Sequence, residues 1–248
     1  TVGPDGIVTS IDFEGDAGAD VLNVDGSIAE IDFGGGADAD ALVVGINGEV
    51  TEISFEGDGP TFSGEDRLFV YGRVLGDLDN NNNDPTIPDR ANGFDFGIYF
   101  KGGSDADALV IGPDAIVTSI DFEGDAGADL FLVDGTVTEI DFGGGADKDI
   151  LTVGPDGIVT SIDFEGDAGA DVLDILGNVI TEIDFSGGAD GDRLRNYSSG
   201  VNQINFYGYD ATPGLHPTDD RDLFLSRGGD IGSIFFRGDF GADVFEVF

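Results

Sequence analysis

The sequence predicts an all-β protein: a parallel β-solenoid of about ten coils, each 20–22 residues long with two main strands. Three observations predict it. First, an Ile-x-Phe phrase recurs at Ile11-Asp12-Phe13, Ile31-Asp32-Phe33, Ile53-Ser54-Phe55, Ile98-Tyr99-Phe100, Ile120-Asp121-Phe122, Ile140-Asp141-Phe142, Ile162-Asp163-Phe164, Ile183-Asp184-Phe185, Ile204-Asn205-Phe206 and Ile234-Phe235-Phe236. A fixed period in this range marks stacked coils. Second, the step from the Phe to the next core Leu or Phe is nine residues in eight coils, as from Phe13 to Leu22, Phe33 to Leu42 and Phe236 to Phe245. Third, 42 glycines punctuate the chain, and helix-type apolar periodicity is essentially absent. Residues 1–248 are read as one solenoid domain.

The first strand of a coil, Val-Thr-Ser-Ile-Asp-Phe or a variant, alternates apolar and polar residues as a half-buried strand does. Strict alternation places Ile11 and Phe13 inward, with Thr9 (Ala29, Thr51 and Thr138 in other coils) as a smaller inward neighbour. Ser10 and Asp12 then face out. The second strand is short, as in Val21-Leu22-Asn23-Val24 and Ile150-Leu151-Thr152-Val153, and Leu22 and Val24 complete the core. The return connection varies between 9 and 11 residues through turns such as Val24-Asp25-Gly26 and Val153-Gly154-Pro155-Asp156-Gly157. Pro and Gly there serve ordinary turn geometry. The other connection is held to length, and a ligand of fixed geometry is the natural cause. Insertions interrupt the array near 59–63, 71–93 and 207–219.

The chain has 51 acidic and 10 basic residues, for a net charge of -41. That sign excludes a nucleic-acid backbone binder, which needs a basic face. With 40% hydrophobic residues and 20 Phe there is material for a core, so a solvated acidic coil is the poorer reading. Such a chain must tolerate high salt or neutralise itself with cations. It has no Cys. A secreted protein without disulfides needs another staple, and metal is the usual one. No apolar run approaches the roughly 20 residues that cross a bilayer. The opening at Thr1, in mid-repeat and without a signal peptide, reads as a processed chain or an excised segment. An extracellular or cell-surface location is expected.

The constant connection carries the chemistry. One spelling is Gly15-Asp16-Ala17-Gly18-Ala19-Asp20, repeated at Gly124 to Asp129 and Gly166 to Asp171 with a variant at Gly238 to Asp243. The other is Gly35-Gly36-Ala37-Asp38-Ala39-Asp40, matched at Gly102 to Asp107, Gly144 to Asp149 and Gly187 to Asp192. The sixth position is Asp in all ten coils: Asp20, Asp40, Asp66, Asp107, Asp129, Asp149, Asp171, Asp192, Asp222 and Asp243. A second Asp stands at position two (Asp16, Asp125, Asp167, Asp239) or at position four (Asp38, Asp105, Asp147, Asp190), and Asp58 and Asp220 join the set in the interrupted loops. Stacking brings these carboxylates into columns about 4.8 Å apart, where like charges repel. Hard divalent cations relieve this. Ca2+ accepts six to eight oxygens, including carbonyls aimed by Gly-rich turns. Mg2+ demands stricter geometry, and one His without Cys does not suit Zn2+. All twenty aspartates are therefore candidate Ca2+ ligands. The alternation of spellings suggests that each ion takes its second carboxylate from one of its two flanking coils.

These loops resemble the nonapeptide Gly-Gly-x-Gly-x-Asp-x-(large apolar)-x of RTX, or haemolysin-type, calcium-binding proteins. Gly15 to Asn23 fits with Asp16 at the second position, and Gly35 to Val43 with Asp38 at the fourth. The resemblance implies a parallel β-roll with Ca2+ held between turns by the sixth Asp and turn carbonyls, in a segment that folds after export. It also departs from the pattern: simple rolls carry the nonapeptide on both sides of a coil, and here only one side has it.

The reading is a secreted structural protein, an adhesin, surface-layer or filament subunit stiffened by a row of Ca2+, self-associating head-to-tail through uncapped ends. Two other functions stay open. A calcium-dependent polysaccharide-modifying enzyme would draw on Arg193, Arg195, Arg221 and Arg227. An ice-binding adhesin segment would need outward Thr arrays, whereas the alternation gives outward Asp, Glu and Ser (Asp12, Asp32, Asp121, Asp141, Asp163 and Asp184 among them). Asp77-Leu78-Asp79 with Asn80 to Asn83 and Asp84 is either a local ion loop or a polar loop. Arg237-Gly238-Asp239 falls in register with the loops, and His216 has no catalytic partner in sequence.

Overall fold

Two parallel sheets wind around one core. The computed structural model describes residues 1–58, 64–76, 97–208, 221–238 and 242–248, among which there is no helix. The long strands, such as Ile7–Glu14, Ser27–Gly36 and Thr136–Gly143, form one sheet; the four-residue strands, such as Val21–Val24 and Ile150–Val153, form the other. Ten rungs make about nine turns of a β-solenoid.

The repeat sets the register. Ile11 lies over Ile31, Ile31 over Ile53, Ile140 over Ile162 and Phe142 over Phe164. From Phe13 to Phe236 the phrase phenylalanines form a continuous stack, with ring centroids 4.8–5.0 Å apart and planes within 26°. The strand spacing of about 4.8 Å imposes that distance, which lies within the range aromatic pairs favour. Phe33 through Phe206 of this stack are fully buried, and the inward Leu and Val of the short strands face them.

The structure corrects the alternation at one point. Thr9, Ala29 and Thr138 face outward and Thr51 is half-buried, while Val8, Ile28, Val50 and Val137 take the inward place. Two consecutive residues, Thr9 and Ser10, point out, so the strand bends between Val8 and Ile11 and loses period two there. This uncovers an outward rank of Thr9, Ala29, Thr51, Thr118, Thr138 and Thr160 that alternation conceals. Between Val179 and Ile183 the bend gains a residue, and Ile180 bulges out. Asp121 is a second correction. It is buried, as is Ser119, where Tyr99 leans across the rung to donate to Glu123 at 3.0 Å and the amide of Gly97 donates to the Ser119 hydroxyl.

The largest insertion splits one long strand. Val74 pairs with Val50 and Val117, and Ile98 with Ile53 and Ile120, so Arg73–Val74 and Ile98–Gly103 share a rung. Residues 71–76 thus belong to the coil, and the insertion starts later than residue 71. Asp77 to Asp84, His216, Asp220 and Asp239 lie outside the described residues.

Candidate metal centre

The loop leaves the long sheet at position one and enters the short sheet just after position six. Position three is pinned across coils: Ala17 bridges Ala37, and Ala126, Ala146, Ala168 and Ala189 form one file. On either side of it the backbone turns left-handed. Asp16 (φ 63) and Gly18 (φ 107) hold positions two and four of the first spelling, and Gly36 (φ 99) and Asp38 (φ 77) hold them in the second. The same pairing recurs at Asp125 and Gly127, Gly145 and Asp147, Asp167 and Gly169, and Gly188 and Asp190. Gly and, to a lesser degree, Asp tolerate this region.

The alternation of spellings has a steric cause. A Cβ added to Gly36 would come under 3.0 Å from the backbone of Asp16, and one added to Gly145 would do the same at Asp125. At position four, Gly64 meets the backbone of Asp38 and Gly127 that of Asp105 in the same way. In these pairs, and at Asp147 and Gly169 and Asp167 and Gly188, the coil that follows an Asp at position two or four carries Gly there because a side chain would strike the backbone of that Asp.

The sixth-position aspartates form an inner column. Asp40, Asp66, Asp107, Asp129, Asp149, Asp171, Asp192 and Asp222 are buried at 0–1% exposure, and Asp20 and Asp243 are half-buried. One ladder of hydrogen bonds links them. The amide of Asp40 donates to Oδ1 of Asp66 at 2.7 Å, Asp66 to Asp107 at 2.6 Å, Asp107 to Asp129 at 2.7 Å, Asp129 to Asp149 at 2.8 Å and Asp149 to Asp171 at 2.7 Å. Asp20 donates to Asp40, and the ladder runs on through Asp192 and Asp222 to Asp243. Oδ2 of Asp40, Asp66, Asp107, Asp129, Asp149 and Asp171 is buried without a hydrogen-bond partner. Buried polar atoms in this state are rare and costly.

Each Oδ2 occupies the hollow left by a missing side chain. A Cβ on Gly124 would fall under 3.0 Å from Oδ2 of Asp129 and also from the carbonyl oxygen of Gly144 in the next coil. Gly166 is bounded in the same way by Asp171 and the Gly187 carbonyl. A carboxylate oxygen and a carbonyl oxygen therefore crowd one point with no donor between them. Position one is Gly in every coil, from Gly15 to Gly238. That column is the feature sequence reasoning missed, although its invariance within this one chain was there to be read.

The electrostatics agree. Burial first, then neighbouring carboxylates, raise Asp66 and Asp107 to about 8 and Asp129, Asp149 and Asp171 to about 7, against the lowering effect of the amide each accepts. Asp40 is raised for the same reasons, and Asp58, also buried, rises to about 6.

The second carboxylate column is of another kind. Asp16, Asp38, Asp125, Asp147, Asp167 and Asp190 are exposed and Asp105 is half-buried. Asp38 accepts the amide of Gly18 at 3.2 Å, Asp105 that of Gly64 at 3.1 Å, and Asp125 lies 3.1 Å from Nζ of Lys101. Among the described residues no three Asp, Glu, His or Cys side chains converge as a metal cluster. A cation here would depend on the inner Oδ2 atoms and carbonyl oxygens, an all-oxygen set suited to Ca2+. Of the four arginines of the enzymatic alternative, Arg195 and Arg193 flank Asp174, Arg221 lines a shallow cavity with Arg193, and Arg227 stacks on Phe248 at 4.9 Å.

No family model matches the chain, and neither the curated proteins nor the solved structures contain a match. The fold and the loops define the class: a parallel β-solenoid of β-roll-compatible form with a column of buried aspartates along one edge.

Proposed function

We propose that the chain is a calcium-binding structural repeat protein of the extracellular space, whose loops hold a row of Ca2+ between coils and so stiffen the solenoid. The file of buried Oδ2 atoms without donors, each against a position-one glycine and, at Asp66, Asp129 and Asp171, also against a carbonyl oxygen of the next coil, carries this reading. Metal-free, the column is a series of desolvated acids that must protonate or repel. With hard cations bound along the Oδ2 file the charge is neutralised and each orphaned oxygen gains a partner. Nine rung intervals of about 4.8 Å give a rod about 43 Å long, the form of an adhesin stalk, surface layer or filament subunit. The outward Thr rank does not favour ice binding: it is one residue wide, contains Ala29 and is bordered by Glu30, Glu52 and Glu139.

Calorimetric titration with Ca2+ at neutral pH, paired with circular dichroism in chelator, tests the proposal. Several ions bound per chain and a marked gain in melting temperature are expected, with Mg2+ much weaker. Identical melting with calcium and with chelator would sink it.

A further inference from the structure

The outer face of the short sheet is apolar, although the chain carries a net charge of -41. In short strands such as Ala41–Val44, Ala108–Ile111, Leu130–Val133 and Ile150–Val153 the second and fourth residues are buried, and the first and third point out. The outward residues include Val43, Phe69, Val110, Leu130, Leu132 and Ile150, with Leu130 41% exposed. Acid is nearly absent from this face. Its outward positions hold Arg67, Arg193 and Arg195 against Asp174 and Glu246, three positive charges against two negative. Asp174 is already engaged by Arg195 and Arg193.

We propose that this face is a lateral docking surface for a second copy of the same chain, packed sheet to sheet. Charge selects the occupant. Two copies that each carry -41 repel wherever their acidic surfaces meet, and this face is where they can approach without that cost. Size agrees. Ten strands about 4.8 Å apart and four residues of about 3.3 Å each make a face of roughly 43 by 13 Å, about 570 Å2 per copy. The total of about 1,100 Å2 clears the roughly 1,000 Å2 that a specific interface needs, at the reversible end of the scale. A sheet face is also what another sheet face packs on, at about 10 Å. The short sheet alone forms this face, whatever fills the loops.

Sedimentation velocity across the micromolar range, in about 0.1 M and about 1 M NaCl, tests it. A monomer–dimer equilibrium is expected, strengthened at high salt as the residual repulsion is screened. Leu132→Glu should weaken it at least tenfold, while Thr138→Glu on the other sheet adds the same charge and leaves it unchanged. Monomer throughout, or association that survives Leu132→Glu with unchanged circular dichroism, overturns the proposal. Should Leu132→Glu not fold, Thr152→Cys gives a second route, since the chain has no other cysteine. A nitroxide on that residue should show one short distance between copies. Absence of dipolar coupling at concentrations where the sample dimerises would equally overturn it.

Discussion

The amide of Asp107 donates to Oδ1 of Asp129 at 2.7 Å, while Oδ2 of Asp129 is buried with no donor. One carboxylate thus has two unlike oxygens: one stitches coil to coil, and the other, under the proposed function, would ligate a cation. Asp129→Asn separates the two roles. The amide keeps an oxygen for Asp107 and turns its nitrogen toward the Gly144 carbonyl. In chelator near pH 8 the variant should be more stable than the parent by about 1–3 kcal/mol, because a buried unsatisfied charge is gone. In calcium the order should reverse. Asp32→Asn, on the exposed face, should stay within about 0.5 kcal/mol in both. Thermal melts of the three proteins with and without calcium check this.

The metal-free chain should lose stability as pH rises. Burial raises Asp66 and Asp107 to about 8 and Asp129, Asp149 and Asp171 to about 7 in the folded chain, from 3.8 when unfolded. Between those values the native state holds protons that the unfolded state has released, so stability falls with increasing pH. The contribution is complete below about pH 4 and is lost through about pH 7–8. Ordinary carboxylates are ionised by about pH 5, so the interval above that isolates the buried column. Melting temperature in chelator should drop steadily from pH 5 to pH 8.5, and calcium should flatten or invert the slope. A flat profile in chelator would contradict the buried-acid picture.

The two loop spellings should not be interchangeable at a single coil. Gly145→Ala places a Cβ against the backbone of Asp125 at a φ of 94, whereas Gly18→Ala, at a φ of 107, meets nothing within 4 Å. Gly18→Ala should cost about 1 kcal/mol from backbone strain alone. Gly145→Ala should cost clearly more, roughly 2–4 kcal/mol. Urea unfolding compares them, and equal costs would remove the steric explanation of the alternation.

Removing one ring from the phenylalanine stack should be felt on both sides. Phe142 is fully buried and stacks on Phe122 at 5.0 Å and Phe164 at 4.9 Å. Phe142→Ala should destabilise by about 3–5 kcal/mol. Because coils in a solenoid contact chiefly their neighbours, hydrogen exchange should rise most in the adjacent rungs and least at distant ones.

The period, the core and the glycine-aspartate loops were legible because each rests on local spacing. Ile140 and Phe142 show a strand, and the nine residues from Phe142 to Leu151 show a connection held to length. The corner was not legible. Thr9 reads as inward on alternation, and only the bend between Val8 and Ile11 turns it out. Nor was the burial of Asp121, which depends on Tyr99 arriving from the neighbouring rung after a long insertion.

By itself the sequence determined the repeat, the parallel stacking and the identity of the loop aspartates, since these follow from residue type and interval within one coil. The tertiary structure decided which aspartates are buried, which carboxylate oxygen lacks a donor, and why Asp and Gly must alternate. All three are relations between atoms in different coils, about 20 residues apart in the chain and one strand spacing apart in space, and no local pattern reports such contacts.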